Sequence, residues 1–216
     1  MRNCPWAMIV SMEAKFKRLK KDESWDKVYR ELPLKDIPWE ILRPDPPLKK
    51  LVDTGALKRG KILDACSGAG TQSIYLAKKG FKVTGIEISQ EAVKIAKRRA
   101  KKAGVTCAFI NRDVLDFPFK KNEFDSIVDR GCFHHIPKYK RQNYLKGAHR
   151  VLKEKGKYYL KCFSYKNGKA WNYFTKEELI KYLTPYFKIL EIKHIDRGAD
   201  RPKGRRYFWY AFLEGK

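Results

Sequence analysis

Residues 61–70 read KILDACSGAG, an apolar run that ends in an acid and passes at once into small residues and two glycines. The first five residues have the composition of a buried strand, and TQSIYLAKK from Thr71 has that of a helix. Strand, glycine turn and helix form the first unit of an open α/β sheet, and ligands bind near that turn. Gly68 and Gly70 suit the turn because glycine adopts positive φ and allows close approach.

The alternation of strand and helix continues along the chain. Strand-like runs occur at residues 61–65, 82–87, 105–110, 124–129 and 156–164, and helical patterns begin at Thr71, Ser89 and Tyr139, the last running to residue 153. This order predicts right-handed βαβ units and a mostly parallel sheet of the α/β class. Farther on, TKEELIKYL predicts a short helix, and YFKILEIKHID and RRYFWYAFLE, joined by RGADRPKG, predict a hairpin with an antiparallel last strand.

The N-terminal part has a different composition. Residues 1–57 predict a helical segment and a linker stiffened by prolines, PWEILRPDPP, and residues 58–216 hold the alternating pattern. We expect the two parts to form one structural domain. No run reaches membrane-spanning length, so we expect a soluble, cytoplasmic protein, and a monomer.

Five cysteines occur, at positions 4, 66, 107, 132 and 162. They form no CxxC pair and no Cys/His cluster with zinc-ligand spacing, so we expect neither a metal site nor a disulfide framework. They are interpreted as buried thiols of a protein from a reducing compartment.

The charge is strongly positive: 49 Lys and Arg against 24 Asp and Glu give a formal net charge of +25. Such a field attracts nucleic acid. The alternative is a lysine-rich solvated surface, which we favour because the basic residues are scattered over predicted helices and loops.

Two acids flank the glycine turn at informative places. Asp64 ends the first strand, where a carboxylate repels phosphate but suits a ligand with an ammonium group. Glu87 ends the second strand, nineteen residues after Gly68, where it can accept hydrogen bonds from ribose hydroxyls. The third glycine of a dinucleotide fingerprint is missing, which disfavours a dehydrogenase-like or non-catalytic nucleotide-binding protein.

Together with these acids, the motifs DACSGAG, VTGIEIS, RDVLDFPF and VDRGCFHHIP, with SWDKVY upstream, carry a resemblance. The chain resembles class I S-adenosylmethionine-dependent methyltransferases, and within them the thiopurine methyltransferase-like branch, which includes tellurite-resistance and halide/thiol methyltransferases. The resemblance implies a seven-stranded, mostly parallel Rossmann-like sheet with an antiparallel last strand, helices on both faces and an N-terminal helical lid. It departs from thiopurine enzymes in Asp64, in the His134–His135 pair and in the basic surface.

The resemblance also implies site residues. Those expected to contact S-adenosylmethionine are Trp25, Trp39, Asp64, Cys66, Gly68, Gly70, Glu87, Ile88, Asp113, Val114 and Arg130. Several have structural alternatives: Asp113 as a turn residue, Arg130 as an ion-pair partner, Cys66 as a packed thiol, and Trp25 and Trp39 as core aromatics.

The sequence leaves the identity of the methyl acceptor open. A small soft nucleophile (a thiol, a selenium or tellurium species, or a halide) is preferred and would be favoured by Arg130. A hydroxyl or neutral amine would need a base, for which Asp129, His134 and His135 are the candidates, with at most one histidine facing the pocket. Nucleic acid is the alternative acceptor, disfavoured because DRGC replaces the [DN]PP[YF] loop of exocyclic-amine methyltransferases.

Overall fold

The computed structural model describes residues 21–168, 172–196 and 206–216. Seven strands form one sheet: β1 (Lys61–Ala65), β2 (Lys82–Glu87), β3 (Cys107–Asn111), β4 (Phe124–Arg130), β5 (Leu152–Phe163), β6 (Phe187–Asp196) and β7 (Tyr207–Gly215). Their order is β3-β2-β1-β4-β5-β7-β6, and β7 alone runs against the others. The predicted seven-stranded sheet with an antiparallel last strand is confirmed. Residues 197–204, the predicted hairpin connection, lie outside the described residues.

Six helices accompany the sheet: α1 (Lys21–Glu31), α2 (Pro46–Asp53), α3 (Thr71–Lys78), α4 (Gln90–Lys102), α5 (Arg141–Val151) and α6 (Lys176–Leu183), counting only the described ranges. Helix α4 begins as predicted, because the Ser89 hydroxyl accepts the N–H of Ala92 at 3.1 Å. After its end, Gly104 has φ +66°. The buried face of α4 consists of Ala92, Val93, Ala96 and Ala100.

The boundary between α5 and β5 differs from the sequence prediction. The helical pattern from Tyr139 extends to residue 153, but α5 ends at Val151 and β5 begins at Leu152. Leu152 pairs with Phe124 of β4, and both side chains are buried in the main core cluster. Packing against the neighbouring strand therefore overrides the helical periodicity at this point.

The N-terminal segment packs over the turn that follows β1. Val28, Tyr29 and Ile37 are buried and form a cluster with Ala69 of that turn and Ala92 of α4. The predicted helical character is present in α1 and α2, and the division at residues 57 and 58 stays a prediction. Within the described ranges no helix has both the length and the apolar character that a membrane span requires.

Candidate active site

The turn after β1 lies at the carboxyl ends of β1 and β4, where the strand order reverses. Gly68 and Gly70 have φ +54° and +76°, and Cys66 shares this left-handed conformation with φ +53°. A Cβ on Gly68 would lie 2.7 Å from the hydroxyl of Tyr29 and 2.8 Å from Oε1 of Glu40. Glycine is therefore required at position 68 both for its backbone angle and for the close approach of the N-terminal segment.

Asp64, at the end of β1, is buried next to this turn. Its Oδ2 accepts a hydrogen bond from the Ser73 hydroxyl at 2.6 Å. Burial raises the pKa of Asp64 to about 7, against the opposing effects of the Ser73 hydrogen bond and the Arg130 charge. A cationic group bound beside Asp64 would restore its negative charge, so this carboxylate fits the ammonium group inferred from the sequence.

Glu87, at the end of β2, is buried and holds two backbone turns together. Its Oε2 accepts the N–H of Gly68 at 2.9 Å, and its Oε1 accepts the N–H of Ser89 at 3.0 Å. Burial raises the pKa of Glu87, against these hydrogen bonds, which lower it. Each carboxylate oxygen can accept a further hydrogen bond, so Glu87 retains the capacity to accept ribose hydroxyls.

A cavity of about 30 Å³ lies between these residues. It is lined by Glu40, Ile41, Asp64, Cys66, Ser67, Thr71, Gln72 and Arg130. The volume holds about two water molecules. Three of the predicted site residues therefore share one cavity, and the N-terminal segment closes it.

Glu40 is the residue of the N-terminal segment that closes the cavity, and it was not predicted from the sequence. Its Oε1 accepts hydrogen bonds from the Tyr29 hydroxyl and the Ala69 N–H, both at 3.1 Å, and its Oε2 accepts one from the Thr71 hydroxyl at 3.1 Å. A carboxylate is favourable here because Thr71 begins α3, and the N-terminus of a helix attracts negative charge. The signal that sequence analysis lacked is the long-range contact between residues 40 and 69.

Arg130 joins a buried ionic cluster instead of pairing with Asp129 or Asp125. Its Nε donates to Oδ1 of Asp45 at 3.2 Å, and its Nη1 donates to the Trp39 carbonyl at 3.0 Å. Lys161 donates to the same Asp45 oxygen at 2.7 Å. Burial by itself raises the pKa of Asp45, but the charges of Lys161 and Arg130 prevail and lower it to about 2.

The predicted lid aromatics form one group. The rings of Trp25 and Trp39 meet edge to face, with centroids 5.1 Å apart, and Trp25 lies 5.2 Å from the ring of His135. The Trp39 Nε1–H donates to the Tyr29 hydroxyl at 2.9 Å. The structure therefore brings Trp25 and Trp39 to the segment after β4, on the same side as Arg130.

Asp129 is completely buried and supports the turn after β4. Its carboxylate accepts hydrogen bonds from the N–H groups of Cys132 and Phe133, and from the hydroxyls of Tyr144 and Tyr158. Burial raises the pKa of Asp129 to about 6, against those hydrogen bonds. With four donors around it, Asp129 acts here as a structural cap and does not line the cavity.

The two histidines after β4 differ in exposure. His134 is buried, and its ring lies 4.1 Å from that of Phe163, whereas His135 is half-buried and faces Trp25. Burial, with smaller effects from His135 and Arg130, lowers the pKa of His134 well below its ordinary value. Of the pair, His135 is the one that lies against the lid aromatics.

The residues predicted along the adenine have mainly structural contacts. The Asp113 carboxylate accepts the N–H of Leu115 at 3.0 Å and so caps a short 3₁₀ turn, while Val114 is buried in the main core. The carbonyl of Ile88 accepts a hydrogen bond from Nδ2 of Asn111 at 2.8 Å. Their predicted contacts with the cofactor stay predictions.

Cys66 and Cys132 are joined by a disulfide bond. The expectation that the cysteines are all thiols is therefore wrong for this pair. The two residues are 66 positions apart in the chain and become neighbours because β1 pairs with β4. Cys107 and Cys162 are free thiols, and Cys4 lies outside the described residues.

Comparison with known proteins gives a consistent family. The protein-family model described as a methyltransferase domain matches residues 62–156. An uncharacterized methyltransferase of Schizosaccharomyces pombe is 33% identical over 119 residues, covering 54% of this chain and 80% of the relative. The 2-heptyl-1-hydroxyquinolin-4(1H)-one methyltransferase of Mycobacteroides abscessus is 32% identical over 108 residues, which is 50% of this chain and 47% of that protein.

A third relative is the 23S rRNA (uracil(747)-C(5))-methyltransferase of Pyrococcus abyssi, 48% identical over 78 residues, which is 36% of this chain and 19% of that enzyme. The matches thus span less than half the length of several curated relatives. A solved structure named for the conversion of a disulfide bond into a thioacetal group during echinomycin biosynthesis has the same fold. Its TM-score is 0.79 at 22% identity, over 90% of this chain and 93% of that one.

Proposed function

The chain belongs to the class I S-adenosylmethionine-dependent methyltransferases, and we propose that it methylates a small-molecule acceptor, preferably a soft nucleophile. The soft nucleophiles meant are thiols, selenium or tellurium species and halides. The relative from Mycobacteroides abscessus, named for a small heteroaromatic substrate, supports the small-molecule class.

The residues of the site fit this cofactor. When bound, S-adenosylmethionine supplies an electrophilic methyl group on a sulfonium. Asp64 would bind the cofactor's ammonium group, Glu87 would accept the ribose hydroxyls, and the glycine turn would allow the backbone to approach. Trp25 and Trp39 would stabilise the sulfonium through their ring faces and exclude water from the methyl group.

The proposal rests on the observation that the candidate bases are already engaged or enclosed by other parts of the protein. Asp129 already accepts four hydrogen bonds, and His134 is enclosed by protein. His135 is half-buried against Trp25 and is not among the residues that line the cavity. An acceptor that is already anionic, or that ionises easily, needs no base. Arg130 lines the cavity with a permanent positive charge, which favours a thiolate or another anion.

The thiopurine methyltransferase-like branch remains part of the proposal. It is supported by the SWDKVY segment, in which Trp25 and Tyr29 lie four residues apart on α1 and both rings approach Trp39. This assignment can be tested by comparing acceptors of different elements. A member of this branch should prefer sulfur, selenium or tellurium acceptors to oxygen and nitrogen acceptors of similar size.

The test is a methyl-transfer screen with radiolabelled S-adenosylmethionine against thiols, selenide, tellurite, halides, phenols, amines and bulk RNA. We expect turnover with soft nucleophiles and a large loss in Arg130→Gln, compared with Arg112→Gln, which changes an exposed arginine. Turnover restricted to oxygen or nitrogen acceptors would contradict the soft-nucleophile proposal and leave the methyltransferase assignment intact.

RNA is the second candidate acceptor. The observations that favour it are the net charge of +25 and the relative named as an rRNA methyltransferase. If RNA is the substrate, binding should persist at about 0.15 M salt, and bulk RNA should become methylated. Binding that disappears at this salt concentration, without methylation, would mean that the positive charge provides only a general attraction for polyanions.

A further inference from the structure

The disulfide lies inside the region that binds the cofactor. Cys66 directly follows β1, and Cys132 lies two residues beyond the end of β4. The two strands are neighbours, with Ala65 paired to Asp129, and the Cα atoms of the two cysteines are 5.6 Å apart. The bond therefore joins the turn after β1, which lines the cavity, to the turn after β4, which follows the cavity residue Arg130.

The two sulfur atoms differ in accessibility. Cys66 is exposed and lines the cavity together with Asp64 and Arg130, whereas Cys132 is buried at 2% exposure. An accessible cysteine next to a buried partner suits reversible oxidation, because reagents reach the first and the second resolves the product. The free thiols lack this arrangement: burial raises the pKa of Cys107 to about 11, and Cys162 is buried in the core.

We propose that Cys66 and Cys132 form a reversible redox-modification site that controls cofactor binding. The disulfide form binds the cofactor weakly, and the dithiol form binds it tightly. This inference depends on the cofactor site and is independent of which acceptor is methylated.

The oxidant is hydrogen peroxide. The Cys66 thiolate attacks a peroxide oxygen, the O–O bond breaks, and a sulfenic acid and, after protonation, water are formed. The Cys132 thiol then attacks the sulfenic sulfur, the S–S bond forms, and a second water leaves. The two thiols have together lost two protons and two electrons, and a dithiol reductant returns them by thiol–disulfide exchange.

The effect on binding follows from geometry. A covalent bond fixes the separation of the two turns, whereas two thiols allow the turns to part. In the disulfide form the cavity that Cys66 lines, together with Glu40 and Ile41 of the N-terminal segment, is about 30 Å³. Pockets that hold ligands of the size of a nucleoside usually measure several hundred cubic ångströms. A form that cannot widen will bind the cofactor poorly, and by linkage the cofactor will favour the dithiol form.

The test uses the full chain in two states, one treated with hydrogen peroxide and then catalase, the other with a phosphine reductant. Peptide mapping after alkylation identifies which cysteines are linked. Titration calorimetry with S-adenosylhomocysteine then measures affinity, with the melting temperature as a second readout. We expect the Cys66–Cys132 link only in the oxidised sample and at least tenfold tighter binding in the reduced one.

Two variants separate this effect from general oxidation. Cys132→Ser should bind S-adenosylhomocysteine like the reduced protein and, after peroxide, should carry an oxidised Cys66 without a disulfide link, whereas Cys107→Ser should respond like the wild type. Equal affinities in the two states of the wild type, or a peroxide response that is lost in Cys107→Ser, would overturn the proposal. If Cys132→Ser does not fold, the comparison of oxidised and reduced wild type decides alone. Failure of both wild-type states to bind would instead contradict the cofactor assignment.

Discussion

Oε1 of Glu40 lies 3.1 Å from the backbone nitrogen of Ala69, so an acid of the N-terminal segment occupies the turn that follows β1. The same carboxylate binds the Thr71 hydroxyl at the start of α3. A methionine carboxylate approaching this turn would meet a like charge and find these donors already engaged. We therefore expect Glu40 to move when the cofactor binds.

Replacing Glu40 by Gln should strengthen cofactor binding while weakening the fold. The amide keeps the shape but removes the negative charge and weakens the hydrogen bonds to Ala69 and Thr71. We expect S-adenosylhomocysteine to bind about fivefold more tightly, and the free energy of unfolding to fall by about 1 kcal/mol. Calorimetry and urea unfolding measure the two effects, with the exposed Glu31→Gln as control. Weaker binding would mean that Glu40 helps to hold the cofactor.

Asp64 should make cofactor binding depend on pH. Its pKa of about 7 in the ligand-free protein means that the ionised fraction falls as the pH drops below 7. If the ammonium group requires the ionised form, affinity for S-adenosylhomocysteine should fall about fivefold between pH 7 and pH 6. Asp64→Asn should bind weakly at both values and lose this dependence.

The measurement is titration calorimetry at constant ionic strength. Asp125→Asn is the control, because Asp125 lies at the opposite end of β4 and pairs with Lys153. The same pH dependence in Asp64→Asn would assign it to another group.

Removing the Glu87 side chain should weaken cofactor binding by about 1–3 kcal/mol, the usual range for a charged hydrogen-bond partner. Glu87→Ala also leaves the N–H groups of Gly68 and Ser89 without their acceptor, so the melting temperature should fall. Calorimetry of the folded variant separates the two effects. Glu91→Ala, on the first turn of α4, controls for the loss of an acid, and undiminished affinity in Glu87→Ala would place the ribose contacts elsewhere.

Asp45→Asn should destabilise the protein strongly, because it leaves Lys161 and Arg130 without the carboxylate between them. Breaking a buried ion pair from one side costs about 3–5 kcal/mol, and we expect about 3 kcal/mol in urea unfolding at pH 7. Because its folded pKa is about 2, below the unfolded value of about 4, this contribution is complete above pH 4 and disappears as the pH falls through 2.

The gap between wild type and Asp45→Asn should therefore narrow from pH 4 to pH 2. The exposed Asp53→Asn, which removes surface ion pairs with Lys49 and Lys79, should cost less than about 1 kcal/mol. A similar small loss in Asp45→Asn would contradict the central role of this carboxylate.

The sheet could be predicted because its information is local. Strands β1 and β2 have the predicted bounds, and Ser89 and Gly104 mark the ends of α4 as expected, since strand composition, capping and glycine turns act over a few residues. Asp64 and Glu87 could be placed for the same reason: the end of a parallel strand in such a sheet is a known position relative to the ligand.

The contacts between distant segments came only from the tertiary structure. Three such contacts join residues that are 29 to 116 positions apart. They are the hydrogen bond from Ala69 to Glu40, the ion pairs of Asp45 with Lys161 and Arg130, and the disulfide between Cys66 and Cys132. No periodicity or spacing encodes such pairs, because they depend on how the N-terminal segment packs and on which strands become neighbours. The sequence by itself determined the architecture and predicted Asp64 and Glu87 as the two acids of the cofactor site. Only the tertiary structure decided that an acid of the N-terminal segment closes this site and that a disulfide borders it, because burial and proximity are properties of the folded chain.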